Sequence, residues 1–198
     1  MITLLEILKE EIELVPRRSS EERDKKYAII LNKKIEQYIK NGSKGDLDLS
    51  GSAVKKLPEE LKMVGRDLIL SYSAITELPD DLKIGRDLDI NNTENVKKLS
   101  NNLKIGRDLS AAESKLESLP DDLKIKGGLF IRDTPISKLP KGLIVGGNLH
   151  VYNTQITELP EDLKTQDLII SKNLLKKYKS IKNLKQKLPG VRGEIFSI

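Results

Sequence analysis

The middle of the chain repeats one pattern, D-L-x-L-x-x-S/T-x-I-x-x-L-P-x-x-L-K-I-G, with a period of 20 or 21 residues from Gly45 onward. Six units follow the pattern, and a degenerate seventh begins at Gln166. A period this short is typical of solenoids, in which each unit is one coil that buries its apolar side chains against its neighbours. The repeat therefore restricts the fold to a stack of coils.

Each unit contains the segment D-L-x-L-x, in which apolar and polar residues alternate. This alternation predicts one short strand per coil with both aliphatic side chains inward, and hence a parallel sheet along one side of the stack. The Leu-Pro step cannot continue a helix, so the returning limb should be extended or polyproline-like, and the glycines after it should turn the chain. The predicted inward pairs are Leu47/Leu49, Leu68/Leu70, Leu88/Ile90, Leu109/Ala111, Leu129/Ile131, Leu149/Val151 and Leu168/Ile170.

A short polar side chain recurs three residues after the second inward position of each strand. We predict that these side chains satisfy backbone groups of adjacent coils that would otherwise be buried without a partner. They are Ser52, Ser73, Thr93, Ser114, Thr134, Thr154 and Asn173.

The pattern L-x-L-x-x-[N/S/T]-x-[I/L]-T-x-L-P resembles the bacterial "LPX" class of leucine-rich repeats, and residues 145–160 are similar to repeat proteins of bacteria and their phages. The resemblance covers residues 45–173. It implies a leucine-rich-repeat solenoid of the α/β class, with a parallel sheet, an extended or irregular convex side and a helical cap at each end. That class occurs in secreted effectors, some fused to a ubiquitin-ligase domain. This chain differs by using Ser or Thr where Asn is usual and by having no cysteine, so the ligase activity does not transfer.

The ends of the chain should cover the terminal coils, which gives three predicted parts. Residues 1–44 form an N-terminal helical hairpin, with one helix over 3–15 and a second that opens at the capping box of Ser19 and ends at Asn41-Gly42. Residues 45–173 are the repeats. Residues 174–198 contain a basic capping helix, within a helical pattern over 173–188, and a tail that either adds a last strand or trails loosely. The alternative for residues 1–43 is a dimerisation hairpin, and thus a homo-oligomer.

The C-terminal segment is strongly basic: residues 166–198 hold eight Lys or Arg against two Asp or Glu, whereas residues 45–165 hold seventeen against twenty. We favour a capping helix with a solvated surface. The alternative is a contact for nucleic acid or an acidic partner, and nucleic acid is disfavoured because the segment has one aromatic residue in its helix and no nucleic-acid-binding motif. The lysines concerned are Lys176, Lys177, Lys179, Lys182 and Lys185.

No set of residues suited to catalysis is visible. The chain has no cysteine and one histidine, His150, on an outward strand position. We therefore predict no catalytic residues, no metal, no cofactor and no small-molecule substrate. The first residues contain acids within their apolar stretch, which is unlike a classical signal peptide, and no segment is long enough to cross a membrane. We expect the protein in the cytoplasm of a bacterial cell or carried by a phage.

The outward strand surface is the remaining candidate for function. Two neighbouring coils place Phe130, Arg132, His150 and Tyr152 together, and these residue types dominate interface energies. Further along the same face we expect one exposed apolar residue, Ile69, and an acidic stretch formed by Asp67, Asp87, Asp89 and Asp108. The prediction is a non-enzymatic module that binds a protein with a basic or mixed surface. The alternative is a structural component of a larger assembly, such as a phage particle, that makes its contacts through the terminal helices.

Overall fold

The computed structural model describes residues 20–121 and 123–198, with the side chains of the first helix described from residue 26 onward. The helix predicted over residues 3–15 lies outside this part of the chain. The predicted second helix is confirmed: α1 spans Ser20–Lys40 and places Leu31 and Ile35 in the core. It ends at Asn41-Gly42, where Gly42 has a left-handed backbone (φ +79°).

One strand from each coil enters an eight-stranded parallel sheet, which we call the front sheet. Neighbouring coils pair in register, with Leu47 opposite Leu68 and Leu68 opposite Leu88. The predicted parallel stack of coils is therefore confirmed. In spatial order, the strands are β1 (Leu47–Asp48), β3 (Leu68–Ile69), β5 (Leu88–Asp89), β7 (Leu109–Ser110), β9 (Leu129–Phe130), β11 (Leu149–His150), β12 (Leu168–Ile170) and β13 (Ile195–Ser197).

A second parallel sheet of five strands, the back sheet, forms on the returning limb, so the prediction of one strand per coil was wrong. It uses the L-K-I-G part of the repeat, in which the Ile or Val points inward and the preceding residue is exposed. Coils stacked at about 4.8 Å bring every extended limb within hydrogen-bonding distance of the next, not only the front strands. These strands are β2 (Met63–Val64), β4 (Lys83–Ile84), β6 (Lys104–Ile105), β8 (Lys124–Ile125) and β10 (Ile144–Val145).

The core is a continuous aliphatic column between the two sheets. All fourteen side chains of the predicted inward pairs are at most 5% exposed, which confirms that part of the prediction. The back sheet contributes Val64, Ile84 and Ile105 from the opposite side. No single coil encloses its own aliphatic side chains, so the stability of the fold depends on stacking.

The glycines after the back strands are required by close packing between coils. At Gly106, an added Cβ would lie 2.6 Å from the carbonyl carbon of Gly85 in the preceding coil. Gly65, Gly85 and Gly106 do not have the positive φ of Gly42. The chain bends at these residues as predicted, and the neighbouring coil adds a steric requirement, since only glycine lets the two backbones approach so closely.

Five of the recurring Ser and Thr side chains bond within their own coil rather than to adjacent coils, which corrects the prediction, while the buried Ser73 hydroxyl has no partner among the described residues. The Thr93 hydroxyl donates to the carbonyl of Ile90 at 2.8 Å, and Ser52 does the same to Leu49 at 2.6 Å. The hydroxyls of Ser114, Thr134 and Thr154 repeat this bond. Asn173 does not belong to the series, because it lies exposed on a helix.

The C-terminal segment contains two short helices, α2 (Lys172–Tyr178) and α3 (Ile181–Lys187), instead of the single helix predicted over 173–188. Lys179 has a left-handed backbone, and the Ser180 hydroxyl accepts a hydrogen bond from the Asn183 amide, so a new helix starts there. The chain then returns to add β13 beside β12, which resolves the two alternatives for residues 189–198 in favour of a last strand. None of the described helices combines the length and apolarity needed to cross a bilayer.

Candidate protein-binding site on the front sheet

In each front strand, an outward-facing residue follows the first inward residue. These outward residues lie in a line across the sheet, which we call the central row. Neighbours in this row are opposite one another in register, as Phe130 and His150 are. Its character changes from polar to apolar along the solenoid axis. The members in order are Asp48, Ile69, Asp89, Ser110, Phe130, His150, Ile169 and Phe196.

Three ring side chains of neighbouring coils form a cluster on this surface, which we call the aromatic patch: Phe130, His150 and Tyr152. The Phe130 and His150 rings meet edge to face with centroids 4.8 Å apart, and the His150 and Tyr152 rings are 6.3 Å apart. All three side chains are partly exposed and lie outside the hydrophobic core. The structure thus brings together three of the four residues that the sequence placed in one cluster, in the orientation expected.

The ring of Phe130 lies over Gly128, two residues earlier in the same coil. An added Cβ at Gly128 would come within 2.6 Å of the ring atom Cε2, so any other side chain would collide with the ring. In five other coils an aspartate occupies the position of Gly128. The alternation of the strand pattern places Gly128 and Ala112 on the outward side, but both are buried. The missing side chain at residue 128 therefore defines where the Phe130 ring rests.

Arg132 borders the patch but is engaged within the chain. Its Nη1 donates to Glu113 Oε1 at 2.8 Å and to Asp133 Oδ2 at 2.7 Å. Burial of the imidazole, followed by the positive charge of Arg132, lowers the pKa of His150 below its ordinary value. At neutral pH His150 is therefore an uncharged ring, which suits an apolar contact.

The aspartate that precedes each front strand has a structural role. Asp67 Oδ1 accepts the backbone N–H of Asp87 at 3.1 Å, and Asp87 Oδ1 accepts that of Asp108 at 3.1 Å. Asp108 Oδ1 in turn accepts the N–H of Gly128 at 2.7 Å. Each carboxylate thus connects its coil to the next through a backbone amide, a role that the sequence reasoning did not include.

Arginines pair with the same aspartates, across coils for Asp67 and Asp87 and within the coil for Asp108. Arg86 Nε lies 3.4 Å from Asp67 Oδ1, and Arg107 pairs with Asp87 and, at 3.4 Å, with Asp108. Burial acts to raise the pKa of Asp87, but hydrogen bonds from Arg107 and the Asp108 amide outweigh it and the net pKa is lowered. These carboxylates therefore present little free negative charge to a partner.

Asp89 is one of the two acidic residues of the central row that lie opposite Ile69 in register, the other being Asp48. Asp89 Oδ1 accepts the N–H of Asn91 at 2.9 Å. Burial, with a smaller contribution from Asp48, raises the pKa of Asp89. Asp89 and Asp48 flank Ile69, and among the described residues neither forms a salt bridge. They are therefore better placed than the paired Asp67, Asp87 and Asp108 to meet a basic partner.

Two features of the front sheet were missed by the sequence reasoning. Tyr72 is 70% exposed and has a left-handed backbone (φ +58°), at a position where other coils have Gly51, Asn92 or Asn153. Comparison of the units column by column would have identified Tyr72, since a bulky residue is strained in this conformation. The apolar end of the central row also continues through Ile169 to Phe196, and the match of G-E-I-F-S to the strand pattern was the available signal.

The predicted anionic-partner lysines are exposed on α2 and α3, and several are already bonded. Lys177 pairs with Glu158 at 2.8 Å, Lys185 approaches Glu194 at 3.7 Å, and Lys176 donates to Asn173 at 3.3 Å. Lys179 lies at the junction between the helices and Lys182 on α3.

Across residues 20–121 and 123–198, no three His, Asp or Glu side chains converge as metal ligands. A shallow groove of about 530 Å³ runs over the back sheet, and lysines, aliphatic residues, glycines and one asparagine line it. Its lining includes Lys83, Lys104 and Lys124 and contains no group suited to act as a general acid, general base or nucleophile at neutral pH.

No protein-family model and no curated protein matches this chain. Among solved structures, the chain is similar to one described as the structure of a Shigella effector LRR domain. The two share 17% identity with a TM-score of 0.47, over 96% of this chain and 94% of the other. The description of this chain as a leucine-rich-repeat solenoid rests on its own coils, parallel sheets and aliphatic column.

Proposed function

We propose that this protein is a non-enzymatic interaction module that binds another protein through the aromatic patch of Phe130, His150 and Tyr152. The observation that carries the proposal is the seating of Phe130. Its ring occupies the space left by the absent side chain of Gly128 and meets the edge of His150, so it is held in one place without being buried in the core.

Such an arrangement suits binding better than folding. A partly exposed ring gains less from burial within the chain than a core residue does, and a partner that covers it would recover the difference. Because the ring is already positioned, little side-chain entropy is lost on association. Aromatic residues of this kind are enriched among the few residues that provide most of the binding energy at interfaces.

The chemistry around the patch indicates the partner. The apolar part of the central row would meet an apolar or aromatic segment, while Asp48 and Asp89, on either side of Ile69, would meet a basic one. The partner would therefore be a protein whose surface is apolar at one end of the contact and basic at the other, as electrostatic complementarity requires.

The proposal is tested by affinity capture with the immobilised protein, followed by measurement of the dissociation constant for any protein retained. We expect Phe130→Ala and Tyr152→Ala each to raise the dissociation constant by about tenfold or more. Lys138→Ala is the matched control, because Lys138 is exposed in the same coil as Phe130 but lies on the returning limb. Equal affinities for all four proteins would contradict the proposal.

The same experiment also tests the alternative, in which the protein is a structural component of a larger assembly. If Lys176→Glu and Lys179→Glu abolish retention of a particle or large complex while Phe130→Ala does not, the terminal helices are the contact surface. A role in a larger assembly would then replace partner binding through the aromatic patch.

A further inference from the structure

The two ends of the front sheet are finished differently. At one end, helix α1 contacts the segment that leads into β1. The Tyr38 hydroxyl lies within hydrogen-bonding distance of the carbonyl oxygens of Ser43 (2.9 Å) and Gly45 (3.0 Å). At the other end, β13 pairs with β12 alone, and no described strand lies along its second side. The strand is therefore an open sheet edge.

The backbone of β13 shows which groups face outward. The Leu168 amide donates to the carbonyl of Glu194 at 2.9 Å, and the Ile198 amide donates to the carbonyl of Ile170 at 3.1 Å. Because consecutive residues of a strand point their backbone groups to opposite sides, those of Ile195 and Ser197 face away from β12. Ile195 as a whole is only 4% exposed, so the amide and carbonyl of the partly exposed Ser197 are the backbone groups available for a further strand.

The side chains of this edge are unlike those that protect edge strands. Natural edges are usually shielded by lysine, proline or a bulge, which prevent another strand from pairing. Here Phe196 and Ile198 are 50% and 55% exposed, and Phe196 continues the central row next to Ile169. The edge therefore offers both backbone hydrogen bonds and an apolar contact.

The charge around β13 indicates what would pair with it. Residues 166–198 carry eight Lys or Arg and two Asp or Glu. Helix α3 packs against β13, and its Lys185 lies 3.7 Å from Glu194, while Lys182 and Arg192 are exposed. A second copy would bring another cationic end into contact and be repelled, whereas an acidic segment would be attracted.

We propose that the open side of β13 accepts an extended acidic segment of a partner protein as a ninth strand of the front sheet. An apolar residue of that segment lies beside Phe196, and its acidic neighbours face the lysines of α3. Backbone hydrogen bonds to Ser197 supply part of the affinity, and side chains packed beside the exposed Phe196 and Ile198 supply the specificity. This contact does not depend on the aromatic patch.

The probe is a short fluorescein-labelled peptide of alternating glutamate and valine, with a lysine–valine peptide of equal length as its counterpart. By fluorescence anisotropy at low salt, we expect the acidic peptide to bind about tenfold more tightly than the basic one, and this preference to shrink as salt screens it. In ¹⁵N spectra its addition should shift the amides of Ile195 and Ser197. Equal affinity for both peptides, or binding of neither, would overturn the proposal.

Two substitutions at one residue separate backbone pairing from general attraction. Ser197→Pro removes an outward amide but leaves the Ile198 amide that bonds to β12, and we expect it to weaken binding by about tenfold. Ser197→Ala keeps the amide and should bind as the wild type does. Unfolding curves verify that both variants fold, and if Ser197→Pro does not, Phe196→Ser provides the second variant with the same expected loss.

Further outcomes distinguish the occupants and the two proposals. Self-association that rises with concentration and disappears in Ser197→Pro would identify a second copy as the occupant and overturn the acidic-segment proposal. Lys182→Glu with Lys185→Glu should weaken peptide binding, while Lys55→Glu, distant in the repeats, should not. Phe130→Ala should leave peptide binding unchanged, so failure of the aromatic patch and failure of the β13 edge give different results.

Discussion

Replacing Gly128 by alanine is the most direct test of how the aromatic patch is held. The substitution adds one methyl group, and the backbone of Gly128 does not have a positive φ that would itself disfavour alanine. The added Cβ would lie 2.6 Å from Cε2 of Phe130, well inside the 3.4–4 Å of ordinary contact. The Phe130 ring must therefore leave its place.

The size of the effect follows from these contacts. Because the displaced ring is partly exposed and lies outside the core, its movement costs about 1 kcal/mol, the low end of the range for overpacking, and loss of the edge-to-face contact with His150 adds roughly 1 kcal/mol. In a Phe130→Ala background the ring is absent, and the nearest remaining atom, the Asn148 carbonyl oxygen, is at 3.4 Å. There Gly128→Ala should stabilise the fold by about 0.4–1 kcal/mol, because alanine restricts the unfolded chain. The two substitutions should thus be coupled by about 2 kcal/mol or more.

The assay is urea unfolding of the wild type, both single variants and the double variant, with the free energy of unfolding obtained at a common slope. In parallel, the ¹H resonances of His150 should shift in Gly128→Ala, because the Phe130 ring no longer lies against the imidazole. A coupling energy below about 0.5 kcal/mol would refute the reasoning, since it would mean that the ring does not rest on Gly128.

Three further predictions concern strain, the core and pH. Tyr72→Asn should raise the free energy of unfolding by about 1 kcal/mol, because Asn92 adopts the same left-handed backbone with less strain. The reciprocal Asn92→Tyr should lower it by a similar amount. Equal stabilities would contradict the view that the backbone of Tyr72 is strained. Leu88→Ala should cost about 3 kcal/mol, because Leu88 is fully buried between two coils, whereas Lys83→Ala on the exposed back sheet should change stability by less than about 0.5 kcal/mol. Burial and Arg132 lower the pKa of His150, so as the pH falls the unfolded chain takes up a proton at a higher pH than the folded chain does. The free energy of unfolding should therefore decrease as pH drops below about 6.5 and level off below the pKa of the folded state. An NMR titration of His150 with a midpoint at or above that of a free histidine would contradict the last prediction, and His150→Gln should remove this part of the pH dependence.

The coil architecture could be predicted because its signal is local and repeated. The alternation in D-L-x-L identifies inward and outward residues within five positions, so the buried pair Leu88/Ile90 and the outward Phe130 were both assigned correctly. The break between α2 and α3 was also encoded locally, by Ser180 as a helix cap, but the helical spacing of the leucines masked it.

Other features depend on residues about twenty positions apart. Asp87 could be recognised as acidic and outward, but its bond to the Asp108 amide exists only because the next coil stacks at hydrogen-bonding distance. The back sheet arises in the same way, since each Lys-Ile segment becomes a strand only beside its neighbour. The open edge of β13 likewise requires knowing that the C-terminal residues return beside β12.

By itself the sequence determined the period, the front strand of each coil and the aliphatic side chains that this strand points inward, because these follow from spacing along a single repeat. Only the tertiary structure decided that Phe130 rests on Gly128 and that the Asp67, Asp87 and Asp108 carboxylates join adjacent coils. It also decided that β13 ends the sheet with its backbone open. These features depend on side-chain rotamers and on the register between coils, which are set by packing in three dimensions rather than by the pattern of residues along the chain.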